Sequence, residues 1–361
     1  MPIEEGFDFA AKLSKAASMD IPALLHKEKL RPDEFLALLS PAALPHLEAM
    51  AAKAHALTVQ YFGKTIQLYS PLYLSSFCTN ECVYCGFRAS HKERRQILSL
   101  EEVESNARAL ASTGIRHLLL LTGEAPKRTP LGYLVDCVKV VRHHFSSVGI
   151  EIHPLDEAQY AILKEAGVDS LTIYQETYDR EIYRKVHLKG PKSDYDYRLE
   201  TPARGAQAGF RSVNIGALYG LADPLFDAYC AGLHAKSLQD GFPATEISLS
   251  LPRLNPAQVS VPPEYRLSDA RFVQFILAYR LFLPRLGITL STRETAAFRD
   301  NLIPLGVTRM SAGSITRIGG YDGKEGGSSQ FDISDERSVA EMDAAIRARG
   351  YEPVYKDWQP L

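Results

Sequence analysis

Residues 66–85 read IQLYSPLYLSSFCTNECVYC. Up to Phe77 the stretch is apolar and alternating, which predicts a strand, and it runs directly into Cys78, Cys82 and Cys85. Upstream, residues 33–63 are rich in Ala and Leu and predict helices, with Pro41 and Pro45 near helix starts. Downstream, strands and helices alternate. Residues 99–114 predict a helix with Ser99 and Glu102 as a capping box and Gly114 at its end. Residues 117–123 form a continuous apolar run, as expected of a strand buried on both faces.

Further strands are predicted at 150–155, 169–177, 212–220, 245–254, 288–294 and 306–314. The intervening helices fall at 131–145, 156–167, 224–240 and 270–287, with a helix or turn-rich crossover at 197–209. Strands alternating with helices of this length imply a parallel sheet. Eight of them predict an α/β fold closed as a (β/α)8 TIM-type barrel, with functional groups at the C-terminal ends of the strands. The pattern divides the chain into a helical N-terminal extension (1–65), the barrel (66–315) and a short C-terminal segment (316–361) packing on it. In that last segment, 319–330 reads as a polar loop, 333–350 as a helix and 351–358 as a strand.

The composition bounds the function. The chain has 361 residues, 45% hydrophobic and 23% charged, with a formal net charge of −2. No basic stripe suggests a nucleic-acid partner. No apolar run reaches the roughly 18 residues of a membrane span, and the N-terminus lacks the basic and apolar regions of a signal peptide. A cytoplasmic location is expected. There are five cysteines. Cys137 and Cys230 lie among apolar residues at helical spacing and read as small buried hydrophobes.

The other three form a C-x3-C-x2-C run at a strand end. Their odd total count and tight spacing argue against a disulfide framework. Three thiolates can hold three irons of a cubane cluster, which normally takes four Cys. One iron then lacks a nearby protein ligand, and an open metal position is where chemistry happens. A zinc site with His91 as fourth ligand is the alternative, at an unusual spacing.

CTNECVYCGF, residues 78–87, resembles the signature of the radical S-adenosylmethionine (SAM) superfamily. The resemblance extends from about residue 30 to the end and is similar to the aromatic-amino-acid lyase branch, within it the 2-iminoacetate synthase family. It is carried by LLSPAA, PLYLS, YCGF, HLLLLTGE, YQETY, HLKG, RLETP, GALYGL, LSTRE, IGGY and VYKDW, in that order. It implies one [4Fe–4S] cluster on Cys78, Cys82 and Cys85, with the amino and carboxylate groups of SAM on the fourth iron. An electron passed into the cluster would then yield a 5′-deoxyadenosyl radical.

The same resemblance assigns residues around SAM. Tyr84 would lie beside the adenine, with Leu218 offering backbone and apolar surface. Thr122-Gly123-Glu124 matches the superfamily's Gly-Gly-Glu position, with Thr replacing the first Gly, and Glu124 can accept the SAM ammonium. Gln175 and Glu176 end the fourth strand, and Glu176 would take the ribose hydroxyls; a helix N-cap acid is the alternative. Arg198 could fork onto the SAM carboxylate, or else form a surface salt bridge. Tyr73 matches a substrate-contacting position. Arg293, with Ser291 on its strand face, can bind an amino acid carboxylate, and Arg317 is a second candidate. His153 stands where the family has Gln and reads as a hydrogen-bonded core group.

The implied reaction is Cα–Cβ cleavage of L-tyrosine to 2-iminoacetate and p-cresol for thiamine thiazole formation, with SAM converted to methionine and 5′-deoxyadenosine. Thiazole synthase is the implied partner, and a flavodoxin- or ferredoxin-type protein the reductant. Two alternatives stay open. One is a tryptophan lyase. The other is a tyrosine lyase of hydrogenase-cofactor maturation, whose second cysteine cluster is not expected here because no cysteine follows Cys230.

Overall fold

The computed structural model describes residues 8–92, 94–254, 265–323 and 329–356. Eight parallel strands form the centre: β1 (Thr65–Ser75), β2 (His117–Thr122), β3 (Ser147–Glu151), β4 (Ser170–Thr172), β5 (Ser212–Gly216), β6 (Glu246–Ser250), β7 (Gly287–Leu290) and β8 (Arg309–Ser311). Each pairs with the next, and β1 pairs with both β2 and β8, so the sheet closes as the expected (β/α)8 barrel. A ninth strand, β9 (Glu352–Val354), adds in parallel to the start of β1. It falls within the predicted strand 351–358, of which Asp357 and Trp358 lie outside the described residues, as do 324–328 of the predicted loop.

Four helices precede the barrel: α1 (Phe9–Ala17), α2 (Ile21–Leu25), α3 (Pro32–Leu39) and α4 (Leu47–Phe62). Phe35 of α3 is fully buried and stacks on Phe282 with ring centroids 4.3 Å apart. The crossover helices are α5 (Leu100–Ala111), α6 (Leu131–Val141), α7 (Glu157–Ala166), α8 (Arg180–Val186), α9 (Tyr195–Leu199), α10 (Thr201–Gln207), α11 (Pro224–Gly241), α12 (Asp269–Phe282) and α13 (Ala296–Leu302). The capping box on α5 forms as predicted, Ser99 and Glu102 each bonding the other's backbone N–H. Cys137 and Cys230 are fully buried.

Several expectations shift: β4 ends at Thr172 and β7 at Leu290, so Gln175, Glu176, Ser291 and Arg293 lie just past their strands rather than ending them. The third strand starts at Ser147 and ends at Glu151, so His153 lies beyond it. The segment 197–209 resolves into two short helices rather than one, with Glu200 between them. The C-terminal helix, α14 (Val339–Ala348), begins only after the Ser338 cap, because Ser338 and Glu341 make a capping box that leaves 333–338 outside it. Among the described residues, no single helix is long and apolar enough to cross a membrane.

Candidate active site

The loop after β1 carries the three cysteines. A register shift between Tyr73 and Ser75 marks a bulge that turns the strand end ahead of them. The loop is tied down from several sides. Thr79 donates through its backbone N–H and its hydroxyl to the Glu124 carbonyl, both at 3.0 Å. Glu81 and Val83 donate to the carbonyls of Lys189 and Val186 at 2.8 and 3.0 Å. The Gly86 N–H donates to the Gln330 carbonyl at 3.2 Å. Gly123 is required by close packing, because a Cβ there would overlap the Phe77 carbonyl oxygen.

Two thiols already accept backbone hydrogen bonds: the Asn80 N–H reaches Cys78 Sγ at 3.5 Å, and the Phe87 N–H reaches Cys85 Sγ at 3.4 Å. Burial pushes the Cys82 thiol up to about 12, and the neighbouring Cys85, Glu124 and Cys78 charges push the same way against Lys192. His91, the alternative zinc ligand, has its Nδ1 against the Gly86 carbonyl at 2.8 Å.

Beside the loop stands a buried chain of charges. Glu124 accepts from Asn80 Nδ2 at 2.7 Å and from Arg198 Nη1 at 2.8 Å. Arg198 also donates through Nε to the Tyr174 carbonyl at 2.7 Å, and its Nη2 lies 3.9 Å from Glu176 Oε1. Lys192 donates to Glu176 Oε1 at 2.6 Å, and its backbone N–H donates to Asn80 Oδ1 at 2.9 Å. Burial alone would raise the Glu124 carboxyl, but Arg198 and Lys192 hold it below its ordinary value. The Arg198 side chain is 6% exposed, which rules out the surface salt bridge. Glu176 is not a helix cap either, since Asp179 caps α8. Instead Glu176 has φ 72°, the one positive φ outside glycine among the described residues. Such strain persists only where surroundings enforce it.

A cavity opens at the C-terminal end of the barrel. Of the residues selected from sequence, Tyr73, Tyr84, Cys85, Glu176, Leu218, Ser291 and Arg293 line it. Tyr84 donates to or accepts from His187 Nε2 at 2.8 Å; because His187 Nδ1 faces the Tyr183 carbonyl at 2.9 Å, Nε2 is the acceptor. Leu218, Leu221 and Leu254 pack with Tyr84 into a small apolar cluster of their own. Tyr73 donates to Gln330 Oε1 at 2.8 Å. Arg293 lies over the Phe331 ring, 3.5 Å from its centroid. Its guanidinium makes no hydrogen bond or ion pair among the described residues, and burial lowers it.

Others fall elsewhere. Arg317 is exposed and does not line the cavity, because its backbone bridges Ser329 and turns the neighbouring Thr316 inward instead. Gln175 is buried and donates to the Tyr195 carbonyl at 3.3 Å, while its Oε1 has no partner. Thr122 Oγ1 is likewise buried without one. His153 is buried, but its Nδ1 makes no hydrogen bond, contrary to the expected satisfied core group.

Residues 72–224 match the model of the radical SAM superfamily, and 250–352 match the biotin and thiamin synthesis associated domain. The chain is 39% identical to a 2-iminoacetate synthase of Escherichia coli over 352 residues, 97% of this chain and 93% of that protein. The chain belongs to the 2-iminoacetate synthase family. A 2-iminoacetate synthase of Salmonella typhimurium matches at the same identity and coverage. The solved structure of HydG, a maturase of the [FeFe]-hydrogenase, superposes with a TM-score of 0.90 at 32% identity, covering 96% of this chain and 79% of that one. Methylornithine synthase shares the fold, with a TM-score of 0.74 at 22% identity.

In this member of the 2-iminoacetate synthase family, sequence reasoning missed Lys192, Asn80, His187 and Glu151. Lys192 sits in GPKSD, a segment between the predicted strand 169–177 and the crossover 197–209 where the sequence pattern predicts no element. Asn80 lies inside the cysteine motif and carried no signal beyond that position. Glu151 alternates with Ile150 and Ile152, and an acid inside a buried strand was the available sign.

Proposed function

We infer that this chain cleaves the Cα–Cβ bond of L-tyrosine to 2-iminoacetate and p-cresol, consuming SAM. The observation that carries this reading is Arg293, a guanidinium facing the cavity without a counter-ion among the described residues, in a chain that matches 2-iminoacetate synthases over nearly its whole length. A partly buried guanidinium with no such partner beside it favours a carboxylate that meets its planar fork.

The donor set fits a [4Fe–4S] cluster. Three thiols on one loop, two of them already accepting backbone N–H groups, repel one another as thiolates and need a cationic centre to ionise together. Cys78, Cys82 and Cys85 would hold it. When bound and reduced, the cluster supplies the electron that breaks the sulfur–carbon bond of SAM. The protein's part is placement. Glu176 would take the ribose hydroxyls, and Tyr84 and Leu218 would enclose the adenine. Glu124, with lone pairs left after Asn80 and Arg198, would accept the SAM ammonium, and Arg198 Nη2 would face its carboxylate. Arg293 and Ser291 would hold the tyrosine carboxylate beside Tyr73. The barrel wall excludes water from the reacting centre.

The imine product is short-lived in water, which supports direct hand-over to a thiazole synthase, and the cluster calls for a flavodoxin- or ferredoxin-type reductant. Five free cysteines, three gathered on one loop, support a reducing compartment, the cytoplasm. The test is anaerobic reconstitution with iron, sulfide, SAM and a reductant, followed by product analysis. Tyrosine should give p-cresol and tryptophan should give no 3-methylindole-2-carboxylate. Consumption of tryptophan with no p-cresol from tyrosine would replace the substrate while leaving the cluster chemistry in place.

A further inference from the structure

Glu151 closes β3 and lines the cavity, yet its carboxyl makes no hydrogen bond or ion pair among the described residues. The register places it. Tyr73 pairs with Leu121, and Leu121 pairs with Glu151, so the three lie in one layer on adjacent strands. In a closed ring of eight strands, β3 stands opposite β7, whose end carries Arg293. Glu151 and Arg293 sense each other's charge, but they form no ion pair. An acid and a base therefore face each other across the cavity with space between them. A partly buried carboxyl without a donor is costly unless a ligand brings one.

Tyrosine has its carboxylate at one end and its phenolic hydroxyl at the other. With the carboxylate on Arg293, the ring extends across the barrel toward β3. The ammonium shares a carbon with the carboxylate and stays on the β7 side. We propose that Glu151 accepts the phenolic O–H of tyrosine and is the residue by which the cavity reads the para-hydroxyl group. This rests on the tyrosine reading above and on Arg293 as the carboxylate anchor. Burial and the nearby Glu176 push the Glu151 carboxyl up to about 7, so above that pH it is a carboxylate, onto which an O–H donor makes one of the stronger hydrogen bonds and which phenylalanine would leave unmet.

The test is equilibrium binding of L-tyrosine and L-phenylalanine to the reconstituted, SAM-loaded protein by calorimetry, with iron content checked for each variant. Wild type should bind tyrosine roughly 10- to 150-fold tighter than phenylalanine. Glu151→Leu should bring the two affinities together by weakening tyrosine alone. Glu151→Gln, which keeps the shape and a neutral acceptor, should lower the preference partway. If Glu151→Leu fails to load iron, the Gln variant decides, and an unchanged preference overturns the proposal. Equal weakening of both ligands also overturns it, because the carboxyl would then hold a group common to both. Formation of p-cresol by wild type, together with an unchanged tyrosine preference in the Glu151 variants, sinks this inference alone. Wild type that neither binds tyrosine nor forms p-cresol sinks the tyrosine reading with it.

Discussion

Lys192 donates to Glu176 at 2.6 Å while both side chains are about nine-tenths buried, so the strained carboxylate at the cavity wall is neutralised before any ligand arrives. A ribose that takes Glu176 must share it with Lys192. The pair links the nucleoside side of the cavity to the cysteine loop, because the Lys192 backbone is pinned to Asn80.

Glu176→Ala is expected to weaken SAM binding roughly 10- to 150-fold with iron content unchanged, as read by equilibrium binding. Because Glu176 has φ 72°, Glu176→Gly should lose the same affinity yet unfold at higher denaturant than Glu176→Ala, by about 1 kcal/mol. Equal stability of the two variants would show that the backbone relaxes freely there.

Cys82→Ala should abolish the reduced-cluster resonance and all 5′-deoxyadenosine formation. Gly123→Ala should act through the same loop without touching a thiol. Its Cβ overlaps the Phe77 carbonyl and lies 3.2 Å from Cys78 Cβ, so the loop must move. We expect native-like far-ultraviolet dichroism with a marked loss of bound iron and sulfide. Full iron loading would mean that the loop has room to spare.

Arg293→Lys keeps the charge but loses the planar fork that lies on Phe331. A displacement of about 1 Å can cost roughly 100-fold in rate. p-Cresol formation should fall by that order while SAM is still cleaved slowly without coupling. A fully active variant would move the carboxylate anchor away from β7.

Asp227, on α11, sets a pH dependence. It is fully buried, its Oδ1 accepts from Thr177 Oγ1 and the Tyr178 N–H at 3.0 and 2.7 Å, and its Oδ2 has no partner. Burial pushes its carboxyl up to about 8. The unfolded chain releases this proton near the ordinary value of 3.8, whereas the folded chain keeps it until about 8. The unfolded state therefore binds fewer protons in that window, and stability falls as pH rises across it. Asp227→Asn removes the titration, so its melting temperature relative to wild type should rise between pH 5 and about 8. A difference independent of pH would assign the decline to other groups.

Much of this was legible in the sequence, because buried parallel strands read as continuous apolar runs and the three cluster cysteines sit within one short motif. Glu176, Arg293 and Tyr73 could be placed because strand ends are where a barrel presents its functional groups. What escaped depends on contacts between distant segments. Lys192 gains its role only when the loop after α8 folds back on Asn80. Glu151 and His153 share a parity on one segment, and the histidine drew notice while the acid did not. Arg317 could not be placed because a single bridge to Ser329 decides which way it faces.

Gln330 receives the Gly86 N–H and the Tyr73 hydroxyl, so one residue near the end of the chain braces both the cysteine loop and the strand that leads into it. During synthesis the three cysteines leave the ribosome long before Gln330 exists. Until then the loop keeps only its ties to Glu124, Val186 and Lys189 and lacks the brace from the last segment of the chain. The full set of ties on the cysteine loop is therefore complete only once the chain has been made past residue 330.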